Sequence, residues 1–160
     1  MIKLQSLLAP AHRVIALLES AQPLAQLAAR LYIGQAFFLS GQAKLRNWDS
    51  TLALFADEYQ VPLLPPSVAA YAGTAGELVL PVLLVLGLAG RFAAAGLSVV
   101  NVVAVVSLAE IAAPALQQHQ FWGSLLIGLL LWGPGRWSLD HFVAPRLQSA
   151  PSGAGYTRAA

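Results

Sequence analysis

Four stretches of this chain are too apolar, for too long, to belong to the surface of a water-soluble domain: residues 24–45, 68–88, 92–113 and 121–132. A helix crosses a bilayer with roughly 20 mostly apolar residues, within a range of about 17–25. The first three stretches reach that length. The fourth reaches it only if residues 118–120 or 133–136 continue the helix. Composition agrees, because only 10% of residues are charged, against about 25% in ordinary soluble domains. The expected fold is all-α, an integral membrane four-helix bundle.

The flanks read differently. In residues 1–23, Leu7, Leu8, Ala11, Ile15 and Leu18 can share one helical face, while Lys3, His12, Arg13 and Glu19 are polar. That pattern predicts an N-terminal helix lying along the membrane interface. Pro10, His12 and Arg13 break the apolar run that a cleaved leader needs. After the first span, Asp49 or Ser50 can cap a short helix over 51–59. This outer-loop helix, with Trp48, Asp49, Asp57, Glu58 and Tyr59, is a candidate surface for docking protein partners. Residues 144–160 are small, polar and rich in Gly and Pro, and predict a disordered tail. The chain thus divides into 1–23, a transmembrane domain over 24–143, and 144–160. Lys3, Arg13, Arg91, Arg136, Arg146 and Arg158 collect on one side. Lys/Arg bias then places both termini in the cytoplasm.

Charges inside the spans need partners or a function. Arg30 lies in the first span and Glu77 in the second. Counting depth at about 1.5 Å per residue separates them by roughly one turn, and predicts that they pair. With Gln35 and Asn101 they would form an intramembrane polar pocket. Asn101 also reads as interhelical glue. Lys44, at the outer end of the first span, is expected to snorkel to the interface. His12 and His141 fall on the inner side and His119 in the outer turn, which argues against a haem held by two histidines. The chain has no Cys. That excludes disulfides, thiolate metal sites and iron–sulfur clusters. No metal site is expected. A net charge of +2 on so apolar a chain points to lipid headgroups, not nucleic acid.

The order of several short motifs resembles the DoxX family of small four-helix inner-membrane proteins. The residues are Arg30-Leu31 before Gly34 and Phe37-Phe38; Ser40-Gly41 followed by Lys44; Ala75-Gly76-Glu77-Leu78; Leu86-Gly87-Leu88 before Arg91; and Gly133-Pro134-Gly135-Arg136-Trp137-Ser138-Leu139-Asp140. The loop over 48–66 also resembles a subgroup encoded beside DUF692-type proteins. The resemblance implies a bacterial inner-membrane protein but no single activity. Some relatives are called subunits of thiosulfate:quinone oxidoreductase, and others are linked to membrane oxidoreductase complexes. No electron carrier is intrinsic to this chain. The expected function is an anchor or scaffold subunit of a redox or metal-stress system, not catalytic by itself. One alternative is a quinone-binding subunit using the Arg30–Glu77 pocket, in which Glu77→Gln would spare the fold. The other is a small transporter or channel subunit. Lipid, protein partners or a second copy are the expected contacts.

Overall fold

The structure, a computed structural model, describes residues 4–148, with side chains for residues 10–143. Among the described residues all regular structure is helical: α1 (Leu4–Arg46), α2 (Trp48–Asp57), α3 (Pro66–Leu86), α4 (Gly90–Val106), α5 (Ala113–Trp132) and α6 (Leu139–Gln148). Helices α1, α3, α4 and α5 form a bundle in which each packs on the next and α5 returns to α1. Helix α2 lies across one end, against α3 and α1. This is the loop end. The opposite, motif end carries residues 133–140.

Several element boundaries differ from the sequence expectation. The third stretch, expected over 92–113, is helical only to Val106, and α5 restarts the helix at Ala113 with Pro114 in its first turn. Residues 4–23 do not form a helix of their own, because α1 runs through Pro10 and Pro23 without a break. Residues 10–22 are exposed all round and Pro23 is the first buried residue, so this part of α1 overhangs the bundle. The cap of α2 is Asn47, whose Oδ1 accepts from Ser50 N at 3.0 Å. Asn47 has the extended backbone that a cap needs, and Asp49 lies already inside the helix. Residues 144–148 are helical, as the end of α6, where a disordered tail was expected. The rest of that tail lies outside the described residues.

Helices α1 and α3 pack tightly at two glycines. A Cβ on Gly34 would collide with Val85, and one on Gly41 would meet Leu78 and Glu77. Such small residues let helix backbones approach in lipid. Ile33, Phe37, Leu84, Leu97 and Leu126 fill the core behind them. The outward faces stay apolar, with Val79, Val99, Val102 and Ile127 all exposed. By length and composition, one helix among the described residues, Pro66–Leu86, is long and apolar enough to cross a membrane, and Gly90–Val106 is apolar but shorter. The other expected spans carry more polar residues: Arg30, Gln35, Gln42 and Lys44 in α1, and Gln117, Gln118, His119 and Gln120 in α5. Residues 118–120 do continue the fourth stretch as helix.

Helix α3 ends at Gly87 with φ 64°. Gly87 N donates to Leu84 O and Leu88 N to Leu83 O, which satisfies the last carbonyls. A side chain at Gly87 would be strained by about 1–2 kcal/mol and would also strike Arg30 and Ser138. Gly87→Ala is therefore expected to lower the thermal midpoint in detergent, followed by circular dichroism. Gly73→Ala has only ordinary contacts to meet, with Phe55 at 3.5 Å, and is expected to leave the midpoint unchanged or raise it.

Candidate functional site

Glu77 faces the bundle interior from the middle of α3, and its partner is Lys44. Lys44 Nζ lies 2.6 Å from Glu77 Oε2 and 2.9 Å from Oε1, and donates to Ser40 Oγ at 3.0 Å. The local sequence explains this. Ser40, Gly41 and Lys44 share one face of α1 at helical spacing. Gly41 leaves room for the Glu77 Cβ, Lys44 supplies the charge, and Ser40 Oγ accepts a further hydrogen bond from the ammonium. The pair is largely shielded from water, with side-chain exposures of 15% and 10%.

The same pair forms one wall of a cavity of about 200 Å³ between α3, α4 and the loop after α2. Its other walls are mostly apolar, including Phe55, Val61, Ala69 and Val103, and Tyr59 and Ser107 also line it. Gln60 N donates to Ser107 O at 2.8 Å and ties the loop after α2 to the end of α4. Helix α2 is fixed from below, because the Thr51 hydroxyl donates to Lys44 O at 2.8 Å and Phe55 packs among Ala69 and Ala70. The site offers an apolar slot, an ammonium donor and a carboxylate. It suits a small lipid-soluble molecule with a hydrogen-bond-accepting oxygen.

Arg30 does not pair with Glu77. It is buried at the motif end, where Nη1 donates to Val85 O at 3.1 Å and Nη2 to Trp137 O. Two causes defeat the expected pairing. The glycine contacts set Arg30 opposite Gly87, ten residues from Glu77, which is about 15 Å along the helix. Side chains also lean toward their own helix N-terminus, so on antiparallel helices Arg30 and Glu77 lean apart. Depth counted from presumed membrane boundaries cannot detect this, because the overhang of α1 moves its boundary.

Of the other expected pocket residues, Gln35 is exposed on the outer face of α1, in a shallow groove with Leu31, Phe38 and Pro81. Asn101 is buried but engages His119: its Nδ2 donates to His119 O at 3.0 Å, and its Oδ1 lies 2.8 Å from His119 Nδ1. It ties α4 to α5, as the interhelical reading expected. His119 sits within α5, not in a turn. Of Arg30, Gln35, Glu77 and Asn101, only Glu77 lines the cavity. Lys44 is the residue that the sequence reading misplaced. Its signal was present in the Ser40-Gly41-Lys44 spacing.

The motif over 133–140 is a clasp. Gly133 and Gly135 turn at positive φ, and the Ser138 hydroxyl donates to Gly135 O. The Asp140 carboxylate accepts from Ala89 N and Gly90 N, both at 2.8 Å, and so caps α4 from outside. Gly90 meets Pro134 closely, while Arg136 is exposed. At the loop end, Trp48 stacks on Tyr71 with centroids 4.7 Å apart. Asp49, Asp57 and Glu58 point to solvent. No group of three metal-ligating side chains is present among the described residues.

The DoxX family model matches residues 25–110, more than half of the chain. The match holds the Ser40-Gly41-Lys44 and Glu77 motifs and ends before the clasp. No curated protein and no solved structure matches the chain.

Two outcomes follow. In stability measurements, Lys44→Met and Glu77→Gln are expected to be coupled by about 0.5–3 kcal/mol, as contacting pairs are, whereas Arg30→Gln and Glu77→Gln should add. Burial first, then the Glu77 and Glu58 carboxylates, raises the Tyr59 pKa above the ordinary phenol value. The phenol is then favoured in the fold. Its contribution is complete below about pH 10 and is lost as pH rises through the folded value. The phenolate absorbance of the protein minus that of Tyr59→Phe should titrate above the ordinary range.

Proposed function

The chain belongs to the DoxX family and, like it, is a small membrane protein; from that premise we propose that it is a four-span inner-membrane subunit that holds a lipid-soluble, quinone-type carbonyl compound at Lys44 and Glu77. The observation that carries this reading is a charged pair set in the wall of an otherwise mostly apolar cavity. A structural ion pair alone would not require an open slot beside it. The Lys44 ammonium would donate to a ligand carbonyl, exchanging it for Ser40 Oγ. Glu77 would hold the ammonium in place and could accept or release a proton. The chain offers no electron carrier of its own, so electrons would come from a partner in a redox or stress-response complex. Both termini are assigned to the cytoplasm on the Lys/Arg distribution, which puts the cavity on the outer side.

A second reading is favoured by a separate observation. Asp49, Asp57 and Glu58 form an exposed acidic surface on α2 and the residue after it. This suits an anchor that recruits a basic soluble partner.

The test is quenching of tryptophan fluorescence by a short-chain ubiquinone analogue, with the protein in lipid vesicles. Saturable binding is expected, weakened at least about tenfold, or 1.4 kcal/mol, in Lys44→Met and unchanged in Asn101→Ala. Equal binding to wild type and Lys44→Met would reject the cavity as the quinone site. Absence of quinone binding, with a soluble partner retained by wild type and lost in Asp57→Asn/Glu58→Gln, would establish the anchor reading instead.

A further inference from the structure

The outward face of α1 carries a seven-residue repeat that the bundle does not use. Leu17, Leu24, Leu31, Phe38 and Leu45 recur at every seventh position. The alternate positions, three residues before each, are Val14, Ala21, Ala28, Gln35 and Gln42. This is the spacing of a helix that packs along a second helix. The core residues Arg30, Ile33, Phe37 and Gly41 lie on the opposite side of α1. Four of the five repeat residues are exposed, Leu17 by 69%, Leu24 by 59%, Leu31 by 48% and Leu45 by 57%, and Phe38 is half-buried in the groove beside α3.

An apolar stripe facing lipid would need no partner. This stripe is mismatched to its surroundings at both ends. In the overhang, beyond the motif end of the bundle, Val14 and Leu17 stand exposed with no other helix of the described residues beside them. Within the bundle, Gln35 and Gln42 are exposed on the apolar face, where a lone amide has no water to bond. One occupant corrects both faults: a second α1 lying parallel and in register. Copies in one membrane share orientation, so identical levels face each other. An amide is both donor and acceptor and can satisfy its own copy. Ala21 and Ala28 leave room for close approach. Beside Gln35, the groove between α1 and α3, about 310 Å³ and walled by Phe38, Pro81 and Val85, can receive a side chain from the other copy.

We propose that the protein forms a parallel homodimer along the Leu17–Leu45 stripe of α1, with Gln35 paired to Gln35 of the second copy. This rests on the membrane-spanning reading but not on the quinone site.

The absence of native cysteine makes the test direct. Single cysteines are placed at Leu17, Leu24 and Leu31, and off the stripe at Val79 and Val99, and oxidised in native membranes. Extraction of the membranes with alkaline carbonate tests the spanning reading separately, because a protein that does not span is released. Strong disulfide dimers at the three stripe positions, with little at Val79 and Val99, are expected. Adding Gln35→Leu to the Leu31 cysteine should lower its yield several-fold, while Gln35→Asn should keep most of it. Equal yields at all five sites, or none at the stripe, would overturn the proposal. So would a Leu17 cysteine carrying an environment-sensitive dye that reports lipid contact without cross-linking, since the membrane surface would then cover the overhang.

Discussion

The close approach of α1 and α3 at Gly34 and Gly41 sets the register on which everything else depends. Val85 and Leu78 occupy the space that two side chains would have taken. Once those contacts are made, Glu77 must stand beside Gly41, and Arg30 must stand beside Gly87. A one-residue slip would turn both charges out of the interior. The two polar centres of the bundle are therefore consequences of one packing contact between small residues.

Those centres have different characters. At the motif end the polar groups are consumed by backbone: Arg30 takes the Val85 and Trp137 carbonyls, and Asp140 takes two amides at the start of α4. Each closes a helix end that would otherwise leave unsatisfied groups. Such a site fastens the bundle, although the buried Arg30 Nε has no partner there and a polar recess of about 680 Å³ lies beside Ser138 and Asp140. At the loop end, Lys44 and Glu77 satisfy mainly each other and Ser40, beside open volume. Charges that are paired but not locked into backbone can exchange partners. That property makes the loop-end pair a candidate site.

Much of this was legible in the sequence. The apolar stretches gave the four bundle helices, and the short loop helix emerged near its expected place, with Asn47 replacing Asp49 or Ser50 as cap. The polar identities of Arg30, Glu77 and Asn101 marked them as interior residues, which they are. What the sequence concealed was who meets whom. Pairing depends on register between helices far apart in sequence, and register came from Gly34 and Gly41, which were read only as motif residues. The continuous α1 was hidden as well. Pro10 was read as interrupting the apolar run of the flank, yet α1 continues through it and through Pro23 into the bundle.

The most direct measurement is the distance from the Lys44 ammonium nitrogen to a glutamate carboxyl carbon, by dipolar recoupling in bilayers. Lys3 and Lys44 are the only lysines, so the Lys3→Arg protein grown with ¹⁵N-lysine and ¹³C-glutamate carries a single labelled ammonium. A Lys44–Glu77 pair predicts strong dephasing of that nitrogen, abolished in Glu77→Gln. An undephased lysine, with dephasing instead between arginine guanidinium nitrogens and Glu77, would contradict the register and the site built on it.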